Sequence, residues 1–201
     1  MKKYTDLSLE TYLEKLSSDA PVPGGGSVSA YAGALGMGLT QMVVRIALKR
    51  KPQAGLTPEQ KFQEDANRKR MEEILDSLEK TRADAMQVVD LDPKVYNEVM
   101  ARYREGGAPE KLEDALQNAF RLQADLALIL VMAKEWNAHM KTLVKGAVAN
   151  DLIVSDGLLA AAFEGAFHTA HINAVYMKKP ERKEHAEKAL AELRNRFMKG
   201  N

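Results

Sequence analysis

Apolar residues recur at intervals of three and four along nearly all of the 201-residue chain, and no run of alternating β-branched residues bounded by hairpin turns interrupts them. This one periodicity predicts an all-α fold. A first helix opens after Ser8 and carries Leu9, Tyr12, Leu13 and Leu16 as a narrow core-facing stripe, stopping before Pro21. A second is expected from about Ser27 to Arg50. It is built from small residues, Ser29, Ala30, Ala32, Gly33, Ala34, Gly36 and Gly38. Each interior glycine costs roughly 1 kcal/mol against alanine, so close approach of another backbone is the expected compensation.

Thr57-Pro58-Glu59-Gln60 supplies a cap, a proline at the first helical position and a glutamine closing the capping box. The third helix that follows shows Phe62, Ala66, Ile74, Leu75, Leu78, Ala85, Met86 and Val89 on one face and is expected to end near Leu91. Asp92-Pro93 then reads as the start of a short fourth helix closed by Gly106-Gly107. Pro109 opens a stretch reaching Gly146, Ser155 reads as the cap of a helix apolar nearly all round, and Pro180 introduces a charged final helix with Ala186, Leu190, Leu193 and Phe197 inside.

A helix of about 34 residues spans roughly 51 Å, whereas a compact chain of this length is a sphere just over about 40 Å across. The expectation is therefore a single-domain elongated bundle of six to seven helices over residues 1–201, with the small-residue face set against a second copy in a two-fold dimer.

Composition removes several functional classes. There is no cysteine, so a disulfide scaffold, a thiolate zinc site and a cysteine nucleophile are all excluded. Twenty-nine basic residues against 28 acidic ones leave a net charge of +1, and no global field draws the chain to nucleic acid or an anionic membrane. The N-terminus MKKYTDLSLE lacks a signal-peptide core, and no apolar run of membrane-spanning length stands out, which together imply a soluble cytoplasmic protein.

Pro23-Gly24-Gly25-Gly26-Ser27 puts a flexible loop directly before a helix start, where free N–H groups and the helix dipole favour an anion. The Lys-Ser/Thr pair and preceding strand of a Walker A loop are absent. The plainer role for these glycines is to turn the chain and let two backbones touch.

The run Pro21-Val22-Pro23-Gly24-Gly25-Gly26-Ser27-Val28-Ser29-Ala30, the small-residue helix after it and Met42-Val43 resemble the start of the formiminotetrahydrofolate cyclodeaminase and methenyltetrahydrofolate cyclohydrolase family. Asn150 followed by Ser155-Asp156 looks like that family's Gly-Asn…Ser-Asp segment, and Asn173 lies where its last long helix carries asparagine. Arg82 stands where the family has an aspartate, Leu48-Lys49-Arg50-Lys51 keeps the family's basic charge without its glycine, and Leu152 and Met177 replace asparagines.

The resemblance implies closure of 5-formiminotetrahydrofolate to the methenyl form with loss of ammonia, or hydration of that form, with no metal or redox cofactor and a tetrahydrofolate derivative as the small-molecule substrate. Both reactions pass through a tetrahedral carbon between two nitrogens and require proton transfer. On this reading Asp156 handles the proton, against the plainer role of an acid at a helix start. Gly25, Gly26, Ser27 and Ser155 line the substrate, Asn150 and Asn173 bond the pterin edge, and Arg50 and Lys51 hold the glutamyl tail. The plainer roles are capping serines, asparagines satisfying buried backbone and a solvated basic terminus. The ligand is expected between the Gly24–Ser27 helix start and the Asn150–Asp156 segment, near a subunit interface.

Two other readings come from the same residues. Glu164, His168 and His171 share one helix face and Glu135 and His139 another, a loose version of carboxylate-histidine metal centres in bundles. Arg82 in place of the acid keeps open a dimer that binds a folate or another small anion without turning it over.

Overall fold

The computed structural model describes residues 3–51, 55–106 and 109–199. Within these, the chain forms α1 (Leu9–Leu16), α2 (Gly25–Lys49), α3 (Pro58–Glu105), α4 (Pro109–Leu143), α5 (Asn150–Tyr176) and α6 (Pro180–Lys199), with short 3-10 turns at Tyr4–Asp6 and Ala147–Ala149. No strand occurs among the described residues, and the all-α class and bundle architecture stand as expected. Helices α2, α3, α4 and α5 pack in a ring, each against the next, and α6 covers α4 and α5. At 48 residues, α3 alone runs about 72 Å, which makes the bundle elongated.

The expected break at Asp92-Pro93 does not exist. Helix α3 continues through Pro93, because the apolar stripe that holds Ala85, Val88 and Val89 against the core resumes at Val99, and tertiary burial outweighs the local cost of the proline. The chain turns only at Gly106, whose φ of 56° puts it in the left-handed region; Gly107 lies outside the described residues. The predicted inner face of α1 is half right. Tyr12 is buried, but Leu9 and Leu13 face solvent, as does Phe62 on α3.

Helix α2 is long and apolar enough to cross a membrane by length and composition, which corrects the expectation that no such stretch is present. It is packed between α3 and α5, and its small residues explain how. A Cβ on Gly36 would lie 3.2 Å from the Ser155 carbonyl, and one on Gly165 would lie 2.1 Å from Ser29 Oγ. The backbones of α2 and α5 thus approach where side chains are missing, running antiparallel with Gly25 beside Thr169 and Gly36 beside Ser155. Along this seam lies a fully buried polar cluster. Ser155 Oγ donates to the Gly36 carbonyl at 2.8 Å and lies 2.8 Å from Thr40 Oγ1, while Asn137 Nδ2 donates to the Leu152 carbonyl at 2.9 Å.

Candidate active site

The glycine-rich start of α2, the last turns of α3, the first half of α4 and the end of α5 enclose a cleft of about 320 Å³. Much of its wall is apolar and aromatic, with Tyr96, Tyr103 and Tyr176 at the surface and Val99, Leu116 and Ala119 buried beneath them. One end is polar, where Gly24, Gly25 and Gly26 meet Asp92, Thr169 and Asn173. A mostly apolar cavity with a few convergent polar groups is the usual form of a small-molecule site.

Asp92 is the group that sequence reasoning missed. Its Oδ2 accepts from the Ser27 N–H at 3.0 Å and its Oδ1 from Gln123 Nε2 at 2.7 Å. Burial pushes its carboxyl above the ordinary carboxylate value, against the opposing pull of the Ser27 and Gln123 hydrogen bonds. A carboxyl at the polar end of an apolar cleft, moved toward neutrality in pKa, is equipped to accept and return a proton. The signal for it lay in the sequence. Asp92 falls three and four residues after Val89 and Val88, so once α3 is one helix an acid interrupts its buried stripe.

Gly26 lets the carboxyl approach. A Cβ there would sit 2.1 Å from Asp92 Oδ1 and 2.2 Å from Gln123 Nε2. Gly25 lines the cleft opposite Thr169, and Asn173 joins it with Nδ2 donating to the Thr169 carbonyl at 2.8 Å. The amide oxygen of Asn173 has a remaining acceptor site for a ligand.

The structure departs from the remaining sequence-predicted sites in specific ways. Ser27 belongs to this end of the molecule, but its side chain is fully buried and its hydroxyl donates to the Val89 carbonyl at 2.9 Å, so it is held by the fold and not presented to a ligand. Ser155 does not cap a helix. Helix α5 begins five residues earlier, after Gly146 (φ 89°) and the 3-10 turn, and Ser155 is fully buried in the α2–α5 seam. Asp156 therefore lies in the second turn of α5, roughly 26 Å along the helix from Asn173. It pairs with Lys134 Nζ at 3.0 Å and Lys141 Nζ at 3.1 Å. Burial alone would raise its carboxyl, but the hydrogen bonds and charges of the two lysines hold it below the usual carboxylate range.

Asn150 is exposed at the start of α5. Arg50 and Lys51 line a separate hollow of about 530 Å³ with Arg68 and Lys145, roughly 36 Å from Gly25 along α2. There Arg50 donates to the Lys145 carbonyl at 3.4 Å, closing the end of the bundle. Within one chain, then, the Gly24–Ser27 helix start and the Asn150–Asp156 segment do not share a cleft. Arg82 is exposed on α3, about 15 Å along the helix from Asp92 and outside the cleft.

The carboxylates of the carboxylate-histidine pattern are engaged by arginines. Glu135 takes both its oxygens to Arg196 at 2.7 Å, and Glu164 pairs with Arg194. Among the described residues no three His, Asp or Glu side chains are placed to hold one metal ion.

Comparison with known proteins agrees with this architecture. The fold superposes with a TM-score of 0.84 on the crystal structure of formiminotetrahydrofolate cyclodeaminase from Thermotoga maritima, at 21% identity, covering 97% of this chain and 92% of that one. A stretch of 128 residues is 25% identical to methenyltetrahydrofolate cyclohydrolase from Methylorubrum extorquens, spanning 60% of this chain and 55% of that protein's length. Residues 8–192 match the sequence profile of the formiminotransferase-cyclodeaminase family, from the cap of α1 into α6, and the chain belongs to that family.

Proposed function

We propose that the chain is a folate one-carbon enzyme working at the Asp92 cleft, either closing 5-formiminotetrahydrofolate to 5,10-methenyltetrahydrofolate with release of ammonia or hydrating the methenyl bridge to 10-formyltetrahydrofolate. The observation that carries this reading is a carboxyl of raised pKa, held at the glycine-rich helix start of a chain in this family, at the polar end of a cleft with aromatic walls. The proton-handling role passes from Asp156, which two lysines keep ionised, to Asp92.

In cyclodeamination N10 adds to the formimino carbon and the amino group leaves as ammonia, so a proton must move from N10 to the departing nitrogen. In cyclohydrolysis water adds to the bridge carbon and loses one proton to solvent, and the N5–carbon bond then breaks as the remaining hydroxyl proton passes to N5 and the formyl C=O forms. Asp92 carries the transferred proton in either reaction. The N–H groups at Gly25 and Gly26 and the amide of Asn173 orient the ring, and Tyr96, Tyr103 and Tyr176 exclude water from its face. No electrons are transferred, so neither reaction requires a redox cofactor. The reading also places the enzyme in the cytoplasm as a homodimer, joined through the exposed apolar residues Leu35, Met42 and Ile46 of α2 and Ile153 and Val154 of α5.

The test is spectroscopic, because the methenyl chromophore appears in one reaction and disappears in the other. Asp92→Asn keeps the shape of the side chain and should lower turnover about 100-fold or more. In the wild type kcat/KM should fall on the acid side, as Asp92 protonates, with a midpoint above the ordinary carboxylate value. A wild-type protein that turns over neither substrate overturns the proposal.

A further inference from the structure

Proline at position 93 has no N–H to give the carbonyl four residues back, that of Val89, and its ring crowds that oxygen. Val89 is fully buried, so water does not supply the missing donor. Ser27, from the first turn of α2, does: its Oγ donates to the Val89 oxygen at 2.9 Å. A serine has one hydroxyl proton, so Tyr12, 3.0 Å away, must be the donor in the Tyr12–Ser27 bond. The same Ser27 gives its backbone N–H to Asp92 Oδ2, in the residue just before the proline. One residue of α2 thus fills a vacancy in the α3 ladder with its side chain and holds the cleft carboxylate with its main chain.

We propose that Ser27 and Pro93 are a coupled positioning pair, the proline opening the Val89 carbonyl so that Ser27 can dock on α3 and fix Asp92 against the glycine-rich helix start. The proposal rests on the reading of the Asp92 cleft as the active site for its catalytic meaning, but its geometry stands apart from that reading. Pro93 sets the placement by what it lacks, and Ser27 is not a catalytic residue, since its hydroxyl faces the interior.

The test is a double-variant cycle read two ways, by chemical denaturation and by NMR titration of the Asp92 carboxyl in protein carrying 13C-labelled aspartate. With Pro93 present, Ser27→Ala leaves a buried carbonyl unpaired and should raise the unfolding equilibrium constant about tenfold or more. In the Pro93→Ala background the new N–H takes up the Val89 oxygen, and Ser27→Ala should cost under about threefold. The Asp92 midpoint should move up in Ser27→Ala, in Pro93→Ala and in the double variant, because a loosened Ser27 N–H no longer favours the ionised form. The double variant would then recover stability without recovering the titration, a separation that a purely structural role does not produce.

If Ser27→Ala fails to fold while the double variant folds, the coupling is supported. If the double variant also fails to fold, if Ser27→Ala costs the same in both backgrounds, or if both single variants leave the Asp92 midpoint unmoved, the proposal is overturned. Absence of turnover in the wild type would remove the folate reading while leaving the cycle and the titration to decide the pair.

Discussion

Gly26→Ala is the sharpest perturbation the cleft offers, because its effect follows from two distances. The added methyl would lie 2.1 Å from Asp92 Oδ1 and 2.2 Å from Gln123 Nε2, the two atoms that hydrogen-bond each other at 2.7 Å. Either side chain can swing away only by giving up that bond. Loss of a hydrogen bond to a charged group is about 1.5–3 kcal/mol, and an extra methyl in filled space costs about 1–3 kcal/mol. These overlap, since movement of Gln123 relieves the clash by breaking the bond. Alanine's helix preference returns at most about 1 kcal/mol. The net loss should be about 2–4 kcal/mol in urea denaturation, accompanied by a shifted Asp92 titration and weakened folate binding by calorimetry. Gly157→Ala is the matched control, exposed on α5 with no heavy atom within 4 Å of the new methyl, and should stabilise by up to about 1 kcal/mol. A Gly26→Ala protein within about 0.5 kcal/mol of wild type, with an unmoved Asp92 titration, would refute the packing argument at the centre of the site.

Other variants separate fold from function. Asp156→Ala strands Lys134, whose side chain is 5% exposed, and should destabilise by about 3 kcal/mol. Because the Asp156 carboxyl is held low in the folded state, its contribution is present above the ordinary carboxylate value and lost as pH falls through the depressed one, so wild type and variant should converge in acid denaturation scans. Ser155→Ala removes the donor to the Gly36 carbonyl and should cost about 1–3 kcal/mol in thermal or urea unfolding, with KM for folate raised as the α2–α5 alignment that assembles the cleft loosens. Leu35→Glu combined with Ile153→Glu charges the exposed apolar face; sedimentation should show monomers, and an unchanged sedimentation coefficient would reject that face as the dimer contact.

The helices were legible because their periodicity is strong and their caps are conventional: Thr57 accepts from the Gln60 N–H and Gln60 from the Thr57 N–H, as the capping box predicts. The small residues of α2 foretold a close backbone partner, but that partner is α5 of the same chain and not the second copy against which this face was expected to lie. Legibility failed where a local signal met a stronger tertiary one. Asp-Pro reads as a helix start in isolation, yet the buried stripe carries α3 through it, and this single misreading hid Asp92. Ser-Asp at 155–156 reads as a cap, yet the hydroxyl serves the inter-helix seam and the carboxylate serves two lysines from α4. Gly25, Gly26 and Asn173 reach the cleft because they sit at matched ends of antiparallel helices. Arg50, Lys51 and Asn150 sit at the opposite ends, a separation fixed by helix length and invisible to motif spacing.

The α2 side of the α2–α5 seam is smooth, and smooth surfaces slide. A row of glycine, alanine and serine offers few of the large knobs that normally fix how far one helix is advanced along another, so axial alignment falls to Leu159 of α5, seated at Gly36, and to the hydroxyl and amide contacts among Thr40, Ser155 and Asn137. A slip of one turn, about 5.4 Å, would unseat Leu159, break those polar contacts, carry Thr169 and Asn173 past the Gly25 end and dismantle the cleft some four turns away. The polar cluster acts as a vernier for a remote site. Residues around the cleft can therefore drift with substrate demand, while the setting that aligns them is kept in the middle of the bundle, far from any ligand.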